Sequence, residues 1–380
     1  MEPVLNVCVL AGGLIWLAVL AAPWRPWSTR ERLAPAPRQD HCDLRDITVL
    51  IPARNEKKTI ASTLAGLTEQ GDNLTVILVD DQSTDGTAAT ARTTGIKKLH
   101  IIPCPDLPSG WSGKLWALEQ GRGHVRTPLT LLIDADIRLR PGMLPALRKK
   151  MVAGDVQLVS LMAQLRMEHF WEKMLVPAFV FFFKLLYPFH LSNSGFRYVA
   201  AAAGGCILLE TRLLEEIGGF ESLRNELIDD CSLARKVKHL GCRTWIGLTH
   251  SVQSTRSYNT LAPIWNMVAR TAFTQLRYSA LLLVLCSLML VTAFWAPLLG
   301  LALGRAAVKT ICCGALMCMV FCYLPTLLFY RRCPLWALLL PVIGTLYLAM
   351  TWTSALRCWR GKRSQWKGRI YAGTERQKGS

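Results

Sequence analysis

Acidic side chains are scarce in this chain of 380 residues: 26 Asp and Glu stand against 44 Lys and Arg, a formal net charge of +18. No nucleic-acid motif accompanies that excess, and it does not gather on one basic face, so nucleic acid is excluded as a partner. The positive charge collects beside apolar segments instead, the pattern of a protein resting on an anionic membrane surface. Metal spacings among the 13 cysteines are also missing. Cys312, Cys313, Cys318 and Cys322 sit in an apolar run with no histidine nearby, which reads as small buried side chains rather than ligands or disulfides. A basic start is lacking as well. Met1-Glu2 opens the chain, which argues against a secretory signal even though residues 4–22 are almost wholly apolar and long enough to span a bilayer. The basic residues Arg25, Arg30, Arg32 and Arg38 follow that run. By the positive-inside rule it is expected to be a signal anchor, with its amino end outside and the next domain cytoplasmic. Cleavage near Ala21-Ala22 is the alternative.

What the chain does have is one organising stretch, Leu129-Thr130-Leu131-Leu132-Ile133-Asp134-Ala135-Asp136. A near-continuous apolar run without periodicity reads as a strand buried on both faces. It ends in two carboxylates one residue apart, where unpaired buried charge would be costly. Ligands bind at the carboxyl end of a parallel strand. Two such acids can hold a hard divalent cation that grips phosphate oxygens. The other reading is an acidic, solvated turn.

Strands and helices alternate upstream. Residues 47–51 form a short apolar strand closed by Pro52, and an amphipathic helix follows with Ile60, Leu64 and Leu67 on one face. Residues 74–79 give a second strand, capped by the acid-rich Asp80-Asp81-Gln82-Ser83-Thr84-Asp85-Gly86-Thr87. Residues 98–102 give a third. The loop 103–113 then leads into a helix near Lys114, and the organising stretch is the fourth strand. This alternation predicts a doubly wound α/β sheet.

Three of these motifs together resemble the family-2 glycosyltransferases: Val49-Leu50-Ile51-Pro52-Ala53-Arg54-Asn55-Glu56, the run from Val79 to Thr87, and Asp134-Ala135-Asp136. Their order and spacing match over roughly residues 47–255. The resemblance implies an α/β fold of GT-A type, a doubly wound mixed sheet. It also implies a nucleotide-sugar donor and a Mg²⁺ or Mn²⁺ ion. By the same match Pro52, Arg54, Glu56 and Asp81 look like the nucleoside-binding set. Asp134 and Asp136 look like the diphosphate–metal pair.

The chemistry asks for such residues independently, since a departing sugar diphosphate develops charge that a metal and cations must neutralise. Lys114 lies at a Gly-flanked helix start that favours phosphate; it contacts the donor or is an exposed surface lysine. Gly204 and Gly205, in Ala200-Ala201-Ala202-Ala203-Gly204-Gly205-Cys206, permit close backbone approach. The resemblance puts the acceptor-side wall there; a tightly packed strand turn is the other reading. Asp229 and Asp230 open an amphipathic helix and could simply favour its dipole. An inverting transfer, however, needs a carboxylate to remove the acceptor proton. The family's usual Glu-Asp is Asp-Asp here, so Asp230 is the base by match, and the shorter Asp229 has no settled part. Gln275-Leu276-Arg277-Tyr278 resembles the Gln-x-x-Arg-Trp motif of processive polysaccharide synthases, with Tyr in place of Trp. Arg270 and Arg277, at i and i+7, are expected to share a helix face. With Gln275 they either meet the diphosphate or anchor the next span at the interface.

The rest reads as membrane. Residues 281–303, 306–330 and 335–356 are each long enough to cross. The segment 170–189, rich in Phe but carrying Glu172, Lys173 and Lys184, is expected to lie in the interface or to be a buried domain helix. The expected organisation is an anchor at 1–23, a basic, Pro-rich linker at 24–45 and a GT-A domain at 46–257. An interfacial helix at 258–279, membrane segments at 280–357 and a basic tail at 358–380 follow. Three full spans would put that tail outside, yet from residue 357 it holds eight Lys or Arg against one Glu. Either one apolar segment is re-entrant, with the tail cytoplasmic, or the orientation rule fails.

With membrane on both flanks the acceptor is expected to be a lipid. The one leading anchor, the Ile-Pro-Ala-Arg-Asn-Glu start, the Asp229-Asp230 pair and the tail Trp366-Lys367-Gly368-Arg369 resemble the bacterial hopanoid-associated glycosyltransferases. This implies a multi-pass protein of the bacterial inner membrane, with a cytoplasmic catalytic domain, acting on an isoprenoid lipid. The rivals are a polyprenyl-phosphate or polysaccharide glycosyltransferase, or an inactive nucleotide-sugar-binding membrane scaffold. Asp81, Asp134, Asp136 and Asp230 together speak against a scaffold, since a binder has no use for a base.

Overall fold

The computed structural model describes residues 2–37, 42–226, 228–361, 365–366 and 369–370. Its contacts divide the chain into two units, one built mainly from residues 31–166 and 191–257, the other from 1–30, 167–190 and 258–362. The expected domain at 46–257 is thus interrupted at 167–190. The tail motif beginning at Trp366 and the basic residue Arg38 lie largely or wholly outside the described residues.

Eight strands form the sheet of the first unit: β1 Ile47–Ala53, β2 Thr75–Asp80, β3 Leu99–Pro103, β4 Leu129–Ile133, β5 Ile137–Leu139, β6 Leu158–Gln164, β7 Cys206–Glu210 and β8 Thr244–Ser254. Their spatial order is β3-β2-β1-β4-β7-β6-β8-β5. The first four are parallel, whereas β7 runs against both β4 and β6, and β5 against β8. The sheet is therefore mixed, as the resemblance implied.

Alternate residues of the central strands serve two cores, which explains their unbroken apolar runs. Val49, Ile51, Val76, Leu78, Leu131 and Ile133 pack with Ile60, Leu64 and Leu67 of helix Ile60–Thr68 on one face. Leu50, Ile77, Val79 and Leu132 pack on the other, with Leu115 and Leu118 of helix Gly113–Arg122 and Leu233 of helix Asp229–His239. Gly121 lets its helix settle onto the sheet. A Cβ there would run into Leu50 Cδ1 and come within 2.8 Å of Val79 Cγ2.

Pro52 does not close β1. The strand runs on to Ala53, with Pro52 opposite Val79. Pairing with β4 covers only Ile47 to Leu50, so the missing N–H of Pro52 falls where β1 no longer has β4 beside it. The second half of the expected linker is also tied down. Leu33 N donates to Leu248 O at 3.0 Å and Ala36 N to Gly142 O at 2.9 Å.

In the other unit, four helices among the described residues are long and apolar enough to cross a membrane: Glu2–Ala21, Ala280–Leu303, Ala306–Phe329 and Pro334–Trp359. Trp16 Nε1 donates to Ala293 O at 2.8 Å, joining the first to the second. Helix Phe170–Leu186 packs Met174, Leu175, Ala178 and Phe181 into the same apolar cluster as Tyr323, Leu340 and Tyr347. Two of its charged side chains face partners within this unit. Glu172 accepts the N–H groups of Glu168, His169 and Tyr258 at 2.8, 3.0 and 2.6 Å, and the Lys184 ammonium lies over the Phe189 ring. The helix therefore belongs with the span-length helices and is not a buried helix of the sheet-bearing unit.

Candidate active site

β1, β2 and β4 are neighbours, so the loops leaving their carboxyl ends lie together. This is where strand order reverses and where open α/β sheets bind ligands. The loop after β1 and the loop after β2 are stitched to each other. Asn55 N donates to Ser83 Oγ at 3.0 Å, Thr84 N to Asn55 Oδ1 at 2.9 Å, Glu56 N to Thr87 Oγ1 at 2.8 Å and Lys57 N to Asp85 Oδ2 at 3.0 Å. These bonds hold Asn55 and Gln82 in the left-handed region, with φ of 51° and 54°, uncommon for residues with a side chain. Arg54 donates from Nη1 to Asp81 O at 2.6 Å and approaches the buried Asp81 carboxylate at 3.6 Å. The four residues expected to hold the nucleoside therefore lie on two rigidly joined loops, with Pro52 at the root of the first.

The Asp134–Asp136 turn follows β4 directly. Lys114 stands one residue inside helix Gly113–Arg122, whose N-cap Ser112 accepts from Leu115 N. Its ammonium meets Asp134 Oδ1 at 2.8 Å and Asp229 Oδ2 at 4.0 Å. Burial alone would lower the Lys114 pKa, but the charges of Asp134, Asp229 and Asp230 outweigh it and raise it. Asp134 is held above the usual carboxylate range, chiefly by desolvation, which Lys114 offsets only in part. The exposed-lysine reading of Lys114 does not describe this side chain.

Asp230, in the first turn of helix Asp229–His239, points its carboxylate back across the cleft. Oδ2 accepts from Gly204 N at 2.7 Å and Oδ1 from Cys231 N at 2.8 Å. A Cβ on Gly204 would stand 3.2 Å from Lys114 Nζ and 3.3 Å from Asp230 Oδ2, so glycine permits this three-way approach. Gly205 packs differently: its carbonyl accepts from Asp134 N at 3.4 Å and its α-carbon faces Ile137 and Ala163. Burial first, and the Asp229 charge second, push the Asp230 pKa up to about 6, against the pull of Lys114 and the two N–H groups. A carboxylate so tuned can take a proton near neutral pH. Pro52, Lys114, Asp134, Gly204, Asp229 and Asp230 line one cleft.

Arg270, Gln275 and Arg277 belong to the other unit. The expected shared helix face does not form. One helix ends at Ala269 and the next spans only Ala272–Gln275. Arg277 and Tyr278 then turn left-handed, with φ of 51° and 58°, and Tyr278 N closes the turn on Phe273 O at 3.2 Å. Gln275 accepts from Tyr187 Oη at 2.6 Å. Pattern reading also missed Arg256, just past β8. It bridges Asp136 Oδ2 from Nε at 2.8 Å and Glu56 Oε1 from Nη2 at 2.9 Å. No motif marks it; only the pairing of β8 with β5 brings it there.

Among the described residues no group of three or more His, Cys, Asp or Glu side chains is arranged to hold a metal. Asp134 and Asp136 nonetheless suit Mg²⁺ or Mn²⁺. They are hard oxygen donors at a strand end, and Mg²⁺ commonly takes one or two carboxylates and completes its shell with substrate phosphates and water. All 13 cysteines are free.

Residues 48–218, somewhat less than half of the chain, match the model of the family described as "Glycosyl transferase family 2". The 4,4'-diaponeurosporenoate glycosyltransferase of Staphylococcus aureus strain MRSA252 is 34% identical over 128 residues, covering 33% of this chain and 34% of that protein. The one of strain bovine RF122 / ET3-1 is 37% identical over 93 residues, 24% of each chain. The chain thus spans about a third or less of the length of these relatives. The structure of the mannosyltransferase PcManGT from Pyrobaculum calidifontis, solved with GDP-Man and Mn²⁺, superposes with a TM-score of 0.59. It is 18% identical and covers 93% of this chain and 99% of its own. That likeness shows the fold: a mixed α/β sheet domain of GT-A type with an N-terminal and several C-terminal apolar helices.

Proposed function

We propose that this protein is a membrane-bound, inverting glycosyltransferase that moves a sugar from a nucleotide-sugar donor to a lipid acceptor. The observation that carries the reading is Asp230: a half-buried carboxylate raised to about 6, aimed by the Gly204 N–H into the cleft that Lys114 and Asp134 share. A scaffold that only bound nucleotide sugars would have no use for such a group.

In this reading the loops carrying Arg54, Glu56 and Asp81 seat the nucleoside, while Lys114 meets the diphosphate. Asp230 accepts the proton of the acceptor hydroxyl as its oxygen attacks the anomeric carbon and the bond to the diphosphate breaks. Attack and departure on opposite faces invert the configuration. Lys114 is poised to balance charge that develops on the leaving group, a preorganised term of the kind that dominates many enzyme sites. Asp134 and Asp136 would hold Mg²⁺ or Mn²⁺, which supplies further electrostatic stabilisation of the diphosphate. Gly204 forms the acceptor-side wall, where any side chain would wedge between Lys114 and Asp230; Gly205 supports the turn behind it.

Four span-length helices support a multi-pass membrane protein, with the catalytic unit on the cytoplasmic side of a bacterial inner membrane. An acceptor at that surface is a lipid, and relatives named for glycosylating 4,4'-diaponeurosporenoate support an isoprenoid-derived one. Within that class we favour a hopanoid. The test is a panel of nucleotide sugars offered to the purified full chain, read by nucleoside diphosphate release with and without membrane lipid extract. Release from one donor that rises with the extract supports the reading. Equal, lipid-independent release from none or all of them refutes it.

A further inference from the structure

Asp136 is gripped from three directions by the end of β8. Its backbone carbonyl accepts from Thr255 N at 2.8 Å and from Thr255 Oγ1 at 3.0 Å. Its carboxylate oxygen Oδ2 accepts from Ser254 Oγ at 3.4 Å and from Arg256 Nε at 2.8 Å. The same guanidinium reaches Glu56 Oε1 at 2.9 Å, while Thr59 Oγ1 holds the other Glu56 oxygen at 2.9 Å. Glu56 and Asp136 are buried, with side chains only 10% and 12% exposed, whereas Arg256 is 38% exposed. One half-open cation thus neutralises parts of two buried acids from two different loops. Lys114 does the same for Asp134 on the other side of the turn.

We infer that Arg256 is a built-in counter-ion of the donor site that competes with a divalent cation for Asp136. The inference rests on the proposed donor site and adds a property to it. With Arg256 seated, a second positive charge at Asp136 meets repulsion and a carboxylate already in use, so free metal binds weakly. Donor phosphates offer the guanidinium another anion of the geometry it suits best. Arg256 can then release Asp136, and metal and nucleotide assist each other's binding. That coupling must be reciprocal, since each ligand biases the same two positions of one side chain. It would keep the site from filling with stray metal when no donor is present.

The experiment titrates Mn²⁺ into the purified full chain in detergent, following the loss of the free-ion electron paramagnetic resonance signal, with and without UDP or GDP. Arg256→Gln should bind Mn²⁺ alone roughly tenfold more tightly than wild type, a modest gain because the pair is partly open to solvent. It should also lose most of the enhancement that nucleotide gives. Arg256→Lys keeps the charge but cannot bridge both acids, and should fall between. Melting temperature establishes that each variant is folded. A purely structural role predicts weaker Mn²⁺ binding in both variants, and that result, or unchanged affinity in a folded Arg256→Gln, overturns the inference. No Mn²⁺ binding by wild type at any nucleotide concentration also overturns it, together with the metal reading. Neither outcome touches sugar transfer, which the donor panel tests by itself.

Discussion

Replacing Asp230 by Asn isolates the proton-accepting step. In wild type the two carboxylate oxygens accept from two different N–H groups, Gly204 at 2.7 Å and Cys231 at 2.8 Å. An amide has one oxygen, so one of those donors loses its partner, a cost of about 1 kcal/mol. Removing a half-buried charge beside Asp229 works the other way, and the stability change should stay within about 1 kcal/mol. Donor binding, carried by other residues, should be unchanged. Turnover should fall ~10²–10⁴-fold, the range for a lost general acid or base, or about 3–5 kcal/mol of barrier. The pH profile gives a second readout. Only the carboxylate can accept the proton, and its pKa is pushed up to about 6. Wild-type kcat should therefore drop about tenfold per pH unit below that point and level off above it, while the variant lacks this limb. Diphosphate release measures kcat, and calorimetry with nucleoside diphosphate measures binding. Turnover of Asp230→Asn within about threefold of wild type would refute the reasoning. So would an Asp229→Asn variant that is crippled while Asp230→Asn is not.

Other substitutions probe the surroundings. Lys114→Met removes the positive charge that pulls the Asp230 pKa down, so the acid limb should move toward higher pH, and activity should fall more at pH 6 than at pH 8; an unmoved limb contradicts the placement of that ammonium. Lys238→Met should leave three carbonyls short of a donor, those of Leu191, Phe196 and Val199, now served at 3.4, 3.1 and 2.7 Å. The expected loss is about 1–3 kcal/mol, with faster amide exchange over residues 191–199. Gly121→Ala should cost about 1–3 kcal/mol by overpacking against Leu50 and Val79, visible as a lower melting temperature with unchanged donor affinity.

Much of this architecture is legible in the residues because parallel strands and acidic strand ends leave strong local marks. The four apolar runs, the acids after them and Lys114 at a glycine-flanked helix start all fall within a residue or two of their places in the fold. The resemblance supplied the antiparallel part of the sheet, since nothing in the residues of β7 and β5 announces their direction. What remained hidden depends on contacts between distant segments. Arg256 meets Asp136 from 120 positions away, through the pairing of β8 with β5, and no spacing rule reaches so far. The partners of Glu172 in helix Phe170–Leu186 were hidden too, since it finds its donors at the helix start and at the distant Tyr258. Arg270 and Arg277 misled for the opposite reason: the periodic pattern is broken where one helix ends at Ala269 and the next stops at Gln275, ahead of the left-handed Arg277 and Tyr278.

Product analysis tests the central claim most directly. The full chain should be incubated with a radiolabelled form of the donor selected from the panel and with membrane lipid extract, then partitioned between water and organic solvent. Wild type should carry label into the organic phase in a glycolipid whose anomeric configuration, read by nuclear magnetic resonance, is inverted relative to the donor. Asp230→Asn should carry almost none. Label that stays entirely in water, a retained configuration, or equal transfer by the variant would contradict a membrane glycosyltransferase using Asp230 as its base.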